Sequence, residues 1–179
     1  MRNKVIVGAR APEVKLGYLQ HGAVMEITTD ELFTGKNIVV LGIPGAFTPV
    51  CTKQHLPDFV ANADKLYAAG FDELVCIAPN DPFVLDAWQG KVDPDSRIRF
   101  LSDGNLEFCS ALDLSMVETK LFLGRRSQRF MLVVRDRIIH RARAERSILE
   151  FKCTRAEDAL RPDESEDPRP MVDVTRWVA

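Results

Sequence analysis

Residues 37–78 read NIVVLGIPGAFTPVCTKQHLPDFVANADKLYAAGFDELVCIA. The stretch begins and ends with short apolar runs, at 37–43 and 73–78, and runs of this kind are typical of strands buried on both faces of a sheet. Between them, apolar residues recur at helical spacing from Leu56 to Tyr67, and Gly70 follows at a position suited to ending a helix. The stretch therefore predicts a strand, a helix and a second strand.

The same alternation continues towards the C-terminus. Residues 97–101 and 130–134 are further apolar runs. Asn80-Asp81-Pro82 predicts the start of another helix, because Asn or Asp can cap a helix and Pro suits its first turn. The remaining predicted elements are a short helix near 106–112, two strands joined tightly at Arg135-Asp136 and a last helix at 156–160. Strands that alternate with helices predict an α/β sandwich.

Composition limits the class of protein. The chain has 179 residues, of which 46% are hydrophobic and 28% charged, so it can bury a core as one compact domain. Four cysteines in that length are too few for a disulfide scaffold. A pI near 5.9 means that the chain has no overall excess of positive charge to bind nucleic acid. No apolar run approaches the length of a membrane span. We expect a cytoplasmic protein in a reducing compartment, with neither a nucleic acid nor a membrane as partner.

The last residues differ in character from the rest. We expect residues 1–160 to form the domain and 161–179, with three prolines and several acids, to form an acidic tail. Residues 125–155 carry ten Lys or Arg against three acids, whereas 157–173 carry seven acids against two arginines. Both blocks are explained by ordinary solvated surfaces. Alternatively, the tail docks on the basic strand region of its own or a partner subunit through four apolar residues, Met171, Val172, Val174 and Trp177.

The chemically informative segment joins the first predicted strand to its helix. If Thr48 is the N-cap, Pro49 takes the first helical position and Cys51 the third. That third position normally favours Glu, so a cysteine there indicates a thiolate held by free backbone N–H groups and the positive end of the helix dipole. The alternative interpretation is a small buried apolar thiol.

A helix end alone does not activate a thiol. A thiol of ordinary pKa, about 8.5, is only about 3% ionised at pH 7, and lowering its pKa to about 6 takes roughly 3.4 kcal/mol. A helix end supplies at most about 2 kcal/mol. A fixed cation is therefore expected beside Cys51, and arginine suits this role because it stays charged and donates to two acceptors at once.

The run Pro44-Gly-Ala-Phe-Thr-Pro-Val-Cys51, followed by Lys53-x-His-Leu-Pro57, resembles the peroxidatic-cysteine loop of peroxiredoxins of the type II or peroxiredoxin-5-like branch. The similarity continues through Asn80-Asp81-Pro-Phe83, Trp88 and Gly124-Arg-Arg-Ser-Gln-Arg-Phe130, and covers about residues 3–160. It implies a thioredoxin-like fold with a central mixed sheet flanked by helices, reduction of hydroperoxides without metal or other cofactor, and a homodimer.

The resemblance also implies roles for particular residues. Cys51 is then the peroxidatic nucleophile, and the hydroxyl of Thr48 bonds the thiolate and the incoming peroxide. Pro44 shields the loop from water. The family's active-site arginine, in the pattern G-x-R-x-x-R-F/Y, falls on Arg129. Cys51 would attack the distal peroxide oxygen in line, release water or alcohol and become a sulfenic acid.

The sequence offers three routes for the reduction of this sulfenic acid. Cys153 matches the position of the resolving cysteine of the animal forms, but its surroundings lack the glycines found there. Cys76 has the spacing proposed for plant members, yet it lies in an apolar strand, where packing explains it. Cys109 matches no family cysteine and is read as structural. The third option is a one-cysteine cycle, in which glutathione with glutaredoxin, or thioredoxin, attacks Cys51 directly.

The same residues also allow functions of other classes. A metal site built from Cys51, His55 and Cys76 is disfavoured, because zinc sites take three or four ligands at close, regular spacing and these residues do not have it. His55, four residues after Cys51, could serve it as a base, but no residue is placed by sequence to orient that imidazole. The main alternative is a thioredoxin-fold peroxide sensor or redox-relay and chaperone protein with little turnover. The same activated cysteine would serve a peroxidase and a sensor alike. These motifs are compatible with hydrogen peroxide and with bulkier alkyl hydroperoxides as substrate.

Overall fold

The computed structural model describes residues 7–161. Its strands are β1 Lys15–Gln20, β2 Ala23–Thr28, β3 Asn37–Gly42, β4 Glu73–Ala78, β5 Arg99–Ser102, β6 Ser115–Glu118, β7 Gly124–Ser127, β8 Phe130–Arg135 and β9 Ile138–Ala144. Its α-helices are α1 Thr29–Phe33, α2 Leu56–Ala68, α3 Pro82–Val92, α4 Glu107–Ala111 and α5 Ala156–Ala159, and a π-helical turn, Cys51–His55, precedes α2.

Seven strands form one mixed sheet in the order β2-β1-β5-β4-β3-β8-β9, and β6 and β7 form a separate hairpin. The three central strands pair in parallel between β3 and β4 and antiparallel between β3 and β8. Their residues are almost all buried, because helices cover both faces. The predicted α/β architecture with a central mixed sheet flanked by helices is confirmed.

Two apolar clusters lie on opposite faces of this sheet. Phe59 of α2, Trp88 of α3 and Ala156 of α5 belong to the first, which also contains Cys51. Phe33 of α1 and Phe108 of α4 belong to the second. Alternate residues of each central strand point to opposite faces, so every strand contributes to both clusters.

One glycine sets the packing between the two strands that lead to the candidate site. Gly42, at the end of β3, pairs with Phe130, at the start of β8. A Cβ atom at position 42 would lie 1.9 Å from Cε1 of Phe130, which is far inside van der Waals contact. The aromatic ring therefore occupies space that only a glycine leaves open.

The predicted elements are present, with several boundaries shifted by one or two residues. The strand expected at 97–101 begins at Arg99, and the turn between β8 and β9 lies at Asp136 and Arg137, one residue later than expected. Both turn residues have positive φ, at 42° and 72°, which tightens the hairpin. The β1–β2 and β6–β7 hairpins were not predicted, because their strands are short and partly exposed.

The basic block is not entirely a solvated surface. Arg129 and Arg141 are only 1% and 2% exposed, which corrects that expectation for these two residues. Nη1 of Arg141 donates to the carbonyls of Asp158 and Ala159 in the last turn of α5. A cation at this position is also favoured by the negative end of the helix dipole. The predicted docking of the tail lies outside the described residues, apart from Arg161.

Within residues 7–161, no group of His, Cys, Asp or Glu side chains is arranged to hold a metal ion. Over this range, no helix has both the length and the apolar character needed to cross a membrane.

Candidate active site

The loop from β3 to α2 places Cys51 at the start of a helix. The helical backbone begins at Pro49, and the N–H of Thr52 donates to the carbonyl of Thr48 at 3.0 Å, as expected if Thr48 is the N-cap. The hydroxyl of Thr48 donates to the carbonyl of Gly45 at 2.8 Å. Because a hydroxyl has one hydrogen to donate, Thr48 is not directed at Cys51 in this conformation, in contrast to the implied contact.

Two neighbours from the adjacent strand and helix hold this loop. Oδ1 of Asn80, which follows β4, accepts from the backbone N–H of Ala46 at 2.8 Å. Nε1 of Trp88 donates to the hydroxyl of Thr52 at 3.3 Å. The sequence singles out Asn80 as part of a helix start and of the motif Asn80-Asp81-Pro-Phe83, and neither gives it a role at the loop. In the structure Asp81 caps α3, because it accepts from Val84 N–H, and Asn80 instead fixes the loop.

Arg129 supplies the cation that the thiol chemistry requires. Its Nη1 donates to Sγ of Cys51 at 3.3 Å. Cys51 is fully buried, and Arg129 is 1% exposed. In a site closed to water, a charge at this distance acts on the sulfur with little screening. The structure therefore brings together the predicted cysteine and the predicted arginine.

The guanidinium of Arg129 is fixed by three other acceptors. Nε donates to the carbonyl of Glu150 at 3.0 Å and Nη2 to the carbonyl of Ile148 at 2.8 Å. Nη1 also lies 3.2 Å from Nδ1 of His55. A guanidinium has five N–H groups, and these contacts with Cys51, His55 and the two carbonyls use four of them. The remaining N–H, on Nη2, has no assigned acceptor among residues 7–161 and is available to a substrate oxygen.

His55 is buried between aromatic rings behind the guanidinium. The ring centroids of Phe59 and Phe151 lie 5.5 and 5.2 Å from that of His55. Burial, followed by the charge of Arg129, lowers the pKa of His55 to about 3, so the ring is neutral. Nδ1 accepts from Arg129, and the proton is therefore on Nε2. His55 faces the cation rather than the thiol, which is not the arrangement of a cysteine–histidine dyad.

The other three cysteines are free thiols whose pKa values are raised. Burial raises the pKa of Cys76, in β4, and of Cys109, in α4, well above the ordinary value. Cys153 is half-buried, and its Sγ donates to the carbonyl of Ala144 at 3.5 Å. Burial, then the charge of Glu145, raises the pKa of Cys153 to about 12. All three are poor nucleophiles near neutral pH in this conformation.

Comparisons with known proteins place this arrangement in a family. The Redoxin family model matches residues 6–160. Peroxiredoxin-2C of Arabidopsis thaliana is 34% identical over 159 residues, which are 88% of this chain and 97% of the relative. The chain belongs to the type II peroxiredoxins. A second relative, the chloroplastic peroxiredoxin-2E-2 of Oryza sativa subsp. japonica, is 36% identical over 140 residues, which are 75% of this peroxiredoxin but only 62% of the relative.

A solved structure agrees with the same conclusion. The reduced Prx3 of Vibrio vulnificus in complex with H2O2 has a TM-score of 0.80 and 34% identity to this peroxiredoxin, over 87% of this chain and 97% of that one. The fold is accordingly thioredoxin-like, as the sequence motifs imply. The protein is a thiol-dependent peroxidase.

Proposed function

We propose that Cys51 is the peroxidatic nucleophile of this peroxidase and that its substrates are hydrogen peroxide and alkyl hydroperoxides. The observation that carries the proposal is the 3.3 Å contact between Nη1 of Arg129 and Sγ of Cys51 in a fully buried site. The helix start and the guanidinium both favour the thiolate, and the thiolate is the form of cysteine that attacks a peroxide.

The first half of the cycle is a displacement at oxygen. The sulfur of Cys51 attacks the distal peroxide oxygen, an S–O bond forms, and the O–O bond breaks along the same line. The departing hydroxide or alkoxide takes a proton and leaves as water or alcohol. The remaining N–H of Arg129 Nη2 and the backbone N–H of Cys51 are the donors that stabilise charge moving along the O–O bond.

Two further residues of the loop have supporting roles in this proposal. The hydroxyl of Thr48 leaves its present acceptor, the carbonyl of Gly45, and donates to the bound peroxide. Pro44 is buried between β3 and the loop and keeps water from the sulfur. Excluding water in this way strengthens the electrostatic contribution of Arg129.

We further propose that an external thiol completes the cycle. Glutathione with glutaredoxin, or thioredoxin, attacks the sulfur of the sulfenic acid and forms a mixed disulfide, and water is released. A second thiol then frees Cys51 and leaves as the partner's disulfide. The raised pKa values of Cys153 and Cys76 support this route over an internal resolving cysteine, because a protonated thiol attacks slowly.

Mass spectrometry after one equivalent of hydrogen peroxide tests the proposal. The protein is digested under non-reducing conditions with a sulfenic-acid trap present. We expect trapped sulfenate on Cys51 alone. A disulfide of Cys51 with Cys153 or Cys76 would replace the external thiol with an internal one, and an unreacted Cys51 would contradict its peroxidatic role. With a thiol donor present, an enzyme reduces many peroxide molecules per subunit, whereas a sensor stops after one peroxide molecule.

We propose that the peroxidase is a homodimer. Exposed apolar side chains near the loop and at the β6–β7 turn support an interface there: Phe47, Val117, Leu121 and Phe122, the last of them 96% exposed. Sedimentation of the wild type beside a Phe122→Ser variant tests this, with the variant expected as a monomer. A dimer that persists in both would place the interface elsewhere.

The location and the domain boundary are also proposals. A cycle driven by thiols requires a reducing compartment, which supports the cytoplasm. Fractionation decides this, since relatives are named as chloroplastic and as mitochondrial. We propose residues 1–160 as the catalytic domain and 161–179 as an acidic tail. Truncation after residue 160 is then expected to leave peroxidase activity unchanged.

A further inference from the structure

Glu145 is a buried carboxylate that the catalytic cycle described above does not use. It directly follows β9 and is 5% exposed. Its Oε1 accepts from the backbone N–H groups of Lys152, Cys153 and Thr154 at 2.7, 2.8 and 3.1 Å. The hydroxyl of Thr154 donates to the same oxygen at 3.0 Å. Four donors thus converge on one carboxylate oxygen, and hydrogen bonds of this charge-assisted kind are among the strongest in proteins.

These bonds close a loop around the catalytic guanidinium. The loop runs from Glu145 to Thr154, and the backbone N–H of Glu145 donates to the carbonyl of Arg129 at 2.8 Å. Inside the loop, the carbonyls of Ile148 and Glu150 accept from Nη2 and Nε of Arg129 at 2.8 and 3.0 Å. The two carbonyls that orient the guanidinium therefore belong to a segment whose far end is held by Glu145.

Packing does not hold this loop on every side. A cavity of about 110 Å³ lies against it and is lined by Met116, Arg129, Glu145 and Ile148, among others. A segment that borders a void has fewer side-chain contacts to fix its backbone. The hydrogen bonds to Glu145 supply that restraint.

We propose that Glu145 is a positioning residue for peroxide reduction, which acts by holding the loop whose carbonyls aim the guanidinium of Arg129 at Cys51. The inference rests on the proposed role of Cys51. Removing the carboxylate frees residues 152–154, and the carbonyls of Ile148 and Glu150 then lose their fixed places. Arg129 stays charged but is no longer held 3.3 Å from the sulfur.

Three variants test this positioning role. Glu145→Ala is expected to lower the second-order rate constant for hydrogen peroxide at pH 7 by roughly tenfold or more, since a displacement of about 1 Å at a reacting centre can cost about 100-fold. Glu145→Gln keeps an acceptor oxygen and should recover part of the rate. Glu157→Gln changes an exposed glutamate on α5 and should behave as wild type.

A second readout separates positioning from general loosening of the fold. The rate of iodoacetamide alkylation of Cys51 is measured against pH without peroxide. We expect the profile of Glu145→Ala to move to higher pH, the profile of Glu145→Gln to move less, and thermal unfolding of both to stay cooperative. A folded Glu145→Ala protein with the wild-type profile and wild-type peroxide rate would overturn the proposal.

A milder variant decides the matter if Glu145→Ala does not fold. Thr154→Val removes only the hydroxyl that donates to Glu145. It should shift the alkylation profile of Cys51 in the same direction by a smaller amount, and an unchanged profile would overturn the proposal. If wild-type Cys51 itself fails to react with peroxide, the proposed function fails, whereas the alkylation profiles still report on Glu145.

Discussion

Nη1 of Arg129 lies 3.3 Å from Sγ of Cys51, although 78 positions separate the two residues in the chain. The sheet explains how they meet. Cys51 follows the loop that leaves β3 after Gly42, and Arg129 immediately precedes Phe130, the residue that pairs with Gly42. The nucleophile and the cation thus adjoin one antiparallel pair of strands, and the register of that pair brings them together.

Replacing Arg129 by Lys should reduce the second-order rate constant for hydrogen peroxide by about 100- to 1000-fold, the usual cost of losing a transition-state donor. An ammonium group cannot donate at once to Cys51, His55 and two backbone carbonyls. Stopped-flow kinetics would measure the change. Arg125→Lys alters an exposed arginine of the same basic block and serves as the control, so an equal loss in both variants would contradict a specific role for Arg129.

His55 should make the protein sensitive to acid. Its pKa is about 3 in the folded state and near 6.5 in the unfolded chain, so below pH 6.5 the unfolded chain binds a proton that the folded one does not. Stability should therefore fall with pH across the window from about 6.5 to 3. Within this window the free energy of unfolding should fall by about 1.4 kcal/mol for each pH unit, which amounts to about 2 kcal/mol between pH 7 and pH 5.

Urea unfolding at several pH values measures this effect. His55→Asn keeps a neutral acceptor for Arg129 and should lose that component of the pH dependence. His21→Asn, which changes an exposed histidine, should keep it. Parallel pH curves for wild type and His55→Asn would show that His55 titrates normally.

Gly42→Ala should destabilise the fold by about 1–3 kcal/mol or more, because the added methyl group would overlap the ring of Phe130. Gly90→Ala is the matched control. Gly90 lies in α3, and its Cβ would meet no atom within 4 Å, so alanine there should stabilise the helix by about 0.5–1 kcal/mol. Thermal unfolding of both variants would reveal the opposite signs.

The four thiols should differ sharply in reactivity. At pH 7 in the native state, Cys51 should be alkylated first, and Cys153 slowly because its pKa is about 12. Cys76 and Cys109 should react only after unfolding in guanidinium, since burial raises the pKa of each well above the ordinary value, whereas Cys51, although equally buried, has the guanidinium of Arg129 beside its sulfur. Mass spectrometry of timed alkylation would test this order, and early labelling of Cys153 would favour an internal resolving step.

The sequence specifies the centre of this molecule better than its edges. The strands around Val39 and Leu132 and the helix after Cys51 follow from apolar periodicity, which reflects burial directly. Arg129 is recognisable only by its motif, because nothing local distinguishes it from nine other basic residues in 125–155. The positions of Asn80 and Glu145 depend on contacts between distant segments, and such contacts leave no periodic signal in the chain.

Insertions and deletions should be tolerated very unevenly along this chain. Each strand residue advances the backbone by about 3.3 Å, and a shift of one position turns the side chains to the opposite face. Deleting one residue within β8 would therefore carry Arg129 a full residue away from Cys51 or turn it away from the sulfur. The exposed turn at His21 and Gly22, between β1 and β2, bears no such constraint, so the chain should accept extra length there while the distance between cation and sulfur is preserved.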